Sequence, residues 1–354
     1  MAEVTTFRGR SIPPDADVTV TGHSPTEDDR ASQSPGWTPS RRLDAVYMNE
    51  FADDLAPRDM RSSGEFASLL ESASDLGISH DAAVRYVSRH TVVRGMRFHF
   101  TEWGNSGAPD VLLLHGGNQS SHSWDLVSLH LSDRYHVYAL DQRGHGDTEW
   151  SRELDYSMAA MAADALAFVA DQGLVRPIVF GHSMGGRVTL HAALRRPDLA
   201  RALVLVDVGP ELSAKGAKVI GDFIAHNIEF DDLDVFLENV ARYDRFRTRE
   251  HIARTVKYNV LVRADGKYVS KVDHRRLPGR LDPITLDDVA AITSPVLLVR
   301  GEESDVLMPD AAERFVGALP DGRLITVPRV GHNVHGGNTP GFLDAVGPFL
   351  ASLD

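Results

Sequence analysis

The chain has 354 residues, 42% of them hydrophobic and 25% charged, with a formal net charge of −13 and no cysteine. This is ordinary globular usage, with enough apolar residues for a sizeable core. The acidic balance argues against non-specific nucleic-acid binding and against docking on an anionic membrane surface, and the lack of cysteine excludes disulfides, thiolate chemistry and cysteine-based metal sites.

Residues 1–40, rich in Pro, Ser, Thr and Asp, show no sustained periodicity and are expected to be disordered or draped over the surface. No apolar stretch there suggests a signal peptide. No run in the chain approaches the roughly 20 apolar residues of a membrane helix, so a cytoplasmic protein is expected. From 41 to 90 the pattern turns helical. "SSGEFASLLESASDLG" opens with Ser62 and Glu65 at capping-box spacing, and Phe66, Leu69, Leu70 and Leu76 fall near one face. "SHDAAVRYVSRH" predicts a second short helix from Ser79. The pair would form a helical N-terminal extension packed on the main domain.

After Thr91 strands alternate with helices. "TVVRGMRFHFTEWG" predicts a hairpin or strand pair, and "DVLLLHGG", "YHVYALDQRGHG", "PIVFGHS", "ALVLVDVGP", "SPVLLVRGEESD" and "RLITVP" predict further strands. "MAAMAADALAFVADQG", "GRVTLHAALRRP" and "TPGFLDAVGPFLASL" predict the helices among and after them. Near-continuous Val/Leu/Ile strands separated by helices imply an α/β fold, a mostly parallel central sheet with helices on both faces, over residues 91–210 and 289–354. Ligand sites in such sheets lie at the carboxyl ends of the strands. Residues 211–288 break the rhythm. They carry helical stretches, including "REHIARTVKYNVLV", and an Asp265-Gly266 turn, and predict an inserted helical cap.

"GHSMGG" (181–186) follows a predicted strand and opens a predicted helix, the context in which G-x-S-x-G presents Ser183 as a nucleophile. A phosphate loop would end in Gly-Lys-Ser/Thr; the bland alternative is a glycine-rich turn with an idle serine. A base is offered by His332, just beyond the last strand, with His335 as competitor. An orienting acid is offered by Asp305, beyond the "PVLLV" strand, in the chain order Ser…Asp…His. Asp207, at the end of "LVLVD", is the next candidate, and Glu302 and Glu303 are others. Oxyanion donors would be the backbone N–H groups of Gly117 and Met184. Asn118, Trp124 and His182 are candidate substrate contacts.

"LLLHGG…W", "ALDQRGHGDT", "VFGHSMGG", "LVLVDVGP", "LLVRGEESDVL" and "VGHNVH" together resemble the α/β-hydrolase superfamily, from about residue 92 to the C-terminus. The resemblance implies Ser183 as nucleophile, His332 as base, Asp305 as acid and Gly117 with Met184 as oxyanion donors. It makes Asp141, Arg143 and His145 scaffold. Serine at the elbow is unlike the haloalkane dehalogenase and epoxide hydrolase branches, which carry aspartate there. The expected reaction is acyl transfer from a small-molecule carboxylic ester or lactone to water, with no metal or organic cofactor and no nucleic-acid or membrane partner. Self-association stays open. Thioester, amide or carbon–carbon bond hydrolysis and a cofactor-free perhydrolase reaction are alternatives on the same triad. A ligand-binding or scaffold protein keeping the fold is the alternative of another class. Of the cap aromatics Phe223, Phe230, Phe236, Tyr243, Phe246 and Tyr258, some could line an acyl pocket, while helix packing is their ordinary use.

Overall fold

The computed structural model describes residues 56–275 and 283–353. The expectations for residues 1–40, and for 41–55 of the helical extension, lie outside them. Strand β1 (Arg58–Asp59) and helix α1 (Gly64–Asp75) come first. The N-cap of α1 is Ser63 rather than Ser62; its hydroxyl accepts from the Phe66 N–H at 3.2 Å. Phe66, Leu69 and Ala73 face inward and join one hydrophobic cluster with Tyr86 and Trp103, whose rings stack 3.5 Å apart.

The second helix expected from Ser79 does not form. In its place is strand β2 (Tyr86–Val93), paired antiparallel with β3 (Met96–Trp103). Arg94 and Gly95 turn the chain with φ of 53° and 74°, the left-handed pair that a two-residue hairpin requires. Tyr, Val, Thr and His crowd this segment, and ladder pairing with β3 outweighs its helical spacing.

The chain continues through β4 (Asp110–Leu114), α2 (Asp125–Leu131), β5 (His136–Leu140), α3 (Met158–Asp171), β6 (Ile178–His182), α4 (Met184–Arg195) and β7 (Ala202–Val206). An insertion follows: α5 (Ala214–His226), β8 (Glu229–Phe230), α6 (Leu233–Tyr243), α7 (Arg249–Val256), β9 (Val260–Val262), β10 (Tyr268–Ser270) and α8 (Leu286–Val289). The chain then completes the core with β11 (Val296–Gly301), α9 (Pro309–Ala318), β12 (Gly322–Val327), a short α10 (Val334–Gly337) and α11 (Thr339–Ala351).

The large sheet runs β1-β2-β3-β5-β4-β6-β7-β11-β12. It is antiparallel from β1 to β5 and parallel from β5 through β12. Its central strands are apolar on both faces because both are covered. Val111, Leu113, Val204, Val206, Leu297 and Val299 pack with residues of α1, α2 and α11. Their neighbours Leu112, Leu114, Leu203, Leu205 and Leu298 pack with residues of α3, α4 and α9. The strand period of two thus sends alternate side chains into two helix-covered layers.

The insertion is not helical throughout. The helix expected over "REHIARTVKYNVLV" ends at Val256, and the β-branched tail forms β9. Strands β8, β10 and β9 make a small antiparallel sheet, with the expected turn at Asp265-Gly266 (Gly266 φ 87°) joining β9 to β10. Phe230, Phe236, Leu237, Ile252, Val256 and Val260 form its own core. Polar contacts tie it down. Arg254 of α7 lies 3.5 Å from Asp125 of α2, the Trp150 indole donates to the Lys271 carbonyl at 2.8 Å, and the Tyr156 hydroxyl donates to Asp273 at 2.6 Å. No helix among the described residues is long and apolar enough to cross a membrane.

Helix α1 is part of the core's cover rather than an appendage, since Leu69 is 1% exposed. Leu69→Ala is expected to cost about 2–4 kcal/mol of unfolding free energy, measured as a lower denaturant midpoint at unchanged slope; a change below about 0.5 kcal/mol would show that α1 is not cooperatively docked.

Candidate active site

Strand β6 delivers Ser183 at a turn too tight for ordinary residues. Ser183 has φ 49° and ψ −112° and stands at the N-cap of α4, a backbone state that costs on the order of 1–3 kcal/mol for a non-glycine residue. The glycines around it allow the turn to close. A Cβ on Gly181 would lie 2.6 Å from the Gly185 carbonyl oxygen, and one on Gly185 would lie 2.3 Å from the Leu114 carbonyl oxygen. The serine is thereby lifted out of the sheet at its carboxyl edge.

His332 follows β12, and two contacts fix its ring. Its Nδ1 lies 2.7 Å from Asp207 Oδ2, and its Nε2 lies 2.9 Å from Ser183 Oγ. A carboxylate only accepts, so Nδ1 carries the proton and Nε2 is free to accept from the serine hydroxyl. Asp207 is fully buried at the end of β7 with φ 51°. Its other bonds come from the end of β11 and the loop after it: the Gly301 N–H donates to Oδ1 at 3.1 Å, and the Ser304 hydroxyl donates to Oδ2.

This corrects the assignment of the acid. Asp305 is exposed and is not the residue bonded to His332. Its backbone carbonyl instead packs against Gly216 at the start of α5. The β11 loop contributes donors that hold the carboxylate of Asp207, not the carboxylate itself. Gly301 makes the approach feasible, because a Cβ there would sit 2.1 Å from the carbonyl oxygen of Gly331, the residue before His332. Glu302 and Glu303 are likewise exposed, and Glu303 pairs with Arg245. His335 is buried and stacked 3.8 Å from Trp124.

Ser183, His332, Asp207, Gly117, Met184, Asn118 and His182 line one cavity of about 310 Å³. Met184 is the first residue of α4, so its N–H has no intrahelical acceptor. Trp124 is not among the lining residues. It is fully buried, edge-on to Phe180 and stacked on His335, and its role is packing. Asn118, with φ 62°, meets the insertion instead: its carbonyl and side-chain oxygen lie 3.5 Å from Asn259 and Ser270. Of the insertion's aromatics, Phe223, Phe236 and Tyr243 line the cavity. Phe230 stacks on Phe236, and Tyr258 stacks on His122.

His182 contacts protein groups through both ring nitrogens. Its Nε2 donates to the carbonyl of His332 at 3.0 Å, and its Nδ1 lies 3.2 Å from Gln119 Oε1; that oxygen accepts from the Gly116 N–H at 3.0 Å. Gln119 and this bridge were not anticipated from sequence, nor were the lining residues Arg187, Asp244, Arg247 and Asn333. Polar residues in loops and inserted helices carry no periodicity that marks them in advance. Asp141 and Arg143 are the scaffold expected of them. Asp141 accepts from the Ser121 and Asp147 N–H groups and bonds His99, and Arg143 forks onto Asp164. His145 also lines the cavity.

Among the described residues, His99, Asp141 and Asp147 bring ligand-type atoms within 4.8 Å of one another. Their bonding is structural: His99 holds Asp141 through Nδ1 and lies 2.9 Å from the Ser88 hydroxyl through Nε2, while Asp147 pairs with Lys271 at 2.6 Å.

A profile of the alpha/beta hydrolase family matches residues 111–344. Esterase Rv0045c of Mycobacterium tuberculosis is 29% identical over 287 residues, covering 79% of this chain and 93% of the esterase. Its crystal structure aligns at a TM-score of 0.66 with 26% identity, over 82% of this chain and 99% of that one. The 2-(acetamidomethylene)succinate hydrolase of Mesorhizobium japonicum is 27% identical over 274 residues, covering 75% of this chain and 94% of that enzyme.

The imidazoles packed around the site set an acid limit. Burial lowers the pKa of His115, His182 and His335; the neighbouring imidazoles push His182 further down, and Arg247 with nearby imidazoles does the same to His335. Below the ordinary value of about 6.5 the unfolded chain therefore binds more protons than the folded one, and stability falls as pH falls. His136 acts the other way: burial opposes its protonation, but Asp110 and Glu102 raise its pKa, so it offsets part of the loss. The unfolding free energy is expected to drop between about pH 7.5 and about pH 5.5, by up to about 1.4 kcal/mol per pH unit for each buried neutral histidine, seen as a lower urea midpoint. A midpoint that holds or rises over that interval would contradict the burial of three neutral imidazoles.

Proposed function

Because this chain belongs to the alpha/beta hydrolase family, we propose that it is a serine hydrolase that cleaves a small carboxylic ester or lactone through an acyl-enzyme on Ser183, with His332 as base and Asp207 as orienting acid. The observation that carries this reading is the pair of bonds on one imidazole, 2.7 Å to Asp207 and 2.9 Å to Ser183. The serine proton has an acceptor within reach, and the acceptor's opposite nitrogen is fixed by a buried carboxylate.

In the proposed reaction His332 Nε2 takes the hydroxyl proton as Ser183 Oγ attacks the substrate carbonyl. The oxyanion sits against the N–H groups of Gly117 and Met184 at the positive end of α4. Asp207 stabilises the imidazolium and keeps Nδ1 protonated. Collapse of the intermediate sends that proton from Nε2 to the leaving alcohol. Water then repeats the sequence on the acyl-enzyme, returning the proton to Ser183. A cavity of about 310 Å³ lies at the small end for ligand pockets and supports a short acyl chain rather than a polymer. The apolar side chains of Met161, Val208, Phe223 and Phe236 support an acyl group with hydrocarbon character.

Turnover of p-nitrophenyl acetate and stoichiometric labelling of Ser183 by a fluorophosphonate test the reading. Ser183→Ala is expected to lower kcat by on the order of 10⁴- to 10⁶-fold with the fold intact. Asp207→Asn is expected to cost on the order of 10⁴-fold through loss of the correct tautomer, and Asp305→Asn less than about 5-fold. A large loss in Asp305→Asn with Asp207→Asn near wild type would assign the acid to the later strand.

A further inference from the structure

Arg187 lies one helical turn beyond Ser183. Its N–H donates to the Ser183 carbonyl at 3.0 Å, so it closes the first turn of α4 beyond the Ser183 N-cap. Helical side chains lean toward the N-terminus, which here is the end that carries Ser183. Arg187 is half-buried and lines the same cavity.

The other charges facing this cavity are matched. Asp207 is engaged by His332, Gly301 and Ser304. Asp244 accepts from the Asn333 side chain at 2.7 Å and lies 3.9 Å from Arg247. Arg247 donates to the His251 carbonyl and the Thr255 hydroxyl. The Arg187 guanidinium has no hydrogen-bond or ion-pair partner among the described residues. Burial lowers its pKa, with no acidic neighbour opposing the shift. A partly desolvated cation without a counter-charge is costly to keep, and an anion entering the cavity removes that cost.

We propose that Arg187 is a substrate-recognition residue and that the substrate is a carboxylate-bearing ester, a half-ester of a short dicarboxylic acid, whose free carboxylate docks on the guanidinium. A guanidinium fork takes a carboxylate through two parallel N–H bonds. Arg187 stands one turn beyond the Ser183 N-cap and lines the same cavity of about 310 Å³, so the carboxylate lies a few bonds from the carbonyl that Ser183 attacks. The position of that carbonyl rests on the serine-hydrolase reading above.

The first test is the ratio of kcat/KM for p-nitrophenyl hemiglutarate to that for p-nitrophenyl valerate, which has the same number of acyl carbons and no charge. Arg187→Met is expected to lower this ratio on the order of 10- to 100-fold, and Arg187→Lys to restore part of it, which a purely structural role would not do. A ratio unchanged in Arg187→Met overturns the proposal while the hydrolase reading stands. The second test needs no turnover: calorimetric binding of monomethyl glutarate to Ser183→Ala and to the Ser183→Ala, Arg187→Met double variant. Binding at least about 10-fold tighter to the protein that keeps Arg187 supports the site. Equal affinities, or no binding to either protein, overturn it whether or not esters are cleaved. Failure of both esters to turn over counts against the hydrolase reading alone, and the calorimetric comparison then decides the carboxylate site.

Discussion

The whole arrangement depends on the crowding at one strand-to-helix turn. Ser183 occupies a left-handed backbone state that its own side chain disfavours. That state persists because β6 and α4 pack so closely that a Cβ at Gly181, Gly185 or Gly186 would meet backbone or buried side-chain atoms within 2.6 Å. The sheet around β6 fixes one side of the turn, since β4 and β7 flank it in parallel register. The helix fixes the other, with Val188 and Leu190 in the core cluster on that face. Relaxing the serine would require pulling the buried face of α4 from the sheet, so the packing energy of the core holds the strain at the site.

The same logic recurs at Asp207. It too leaves its strand in a left-handed state, and it is fully buried, so its charge needs partners. They come from a neighbouring strand rather than from its own loop: the Gly301 N–H and the Ser304 hydroxyl. Burying a carboxylate is tolerable only when its lone pairs are occupied. Here three donors from β11, the loop after it and the loop after β12 converge on two oxygens.

Most of the fold was legible because parallel strands buried on both faces read as unbroken aliphatic runs. "VLLL", "IVF", "LVLV" and "VLLV" each gave a strand where one was expected. Ser183 and His332 were legible for a related reason, since a glycine-flanked serine between strand and helix and a histidine just past the last strand are positions rather than patterns. What failed is equally physical. Tyr86–Val93 has helix-compatible spacing, but the partner that makes it a strand lies across a two-residue turn. Strands β8, β9 and β10 are two or three residues long, too short for any alternation to register. Chain order and the loop after "PVLLV" point to Asp305, yet Asp207 also lies between Ser183 and His332, so order does not separate adjacent strand ends. The distinction is spatial, since only the earlier carboxylate is buried against the imidazole. Trp124 stood near the glycine pair in sequence yet turned into the core, as a large apolar ring does when the layer beneath has room for it.

His182 ties these pieces together in a way that bears on motion. It is the residue immediately before Ser183, and its ring donates to the backbone carbonyl of His332. Ser183 and His332 are therefore linked twice, once by the bond between their side chains and once through the strand that carries the serine. The His332 loop spans an otherwise long, glycine-flanked stretch between β12 and α11, yet it is moored to β6 at the very residue whose geometry it must match. Displacing that loop from β6 would therefore strain the His182 bond together with the Ser183–His332 bond, two ties between segments 149 residues apart in the chain.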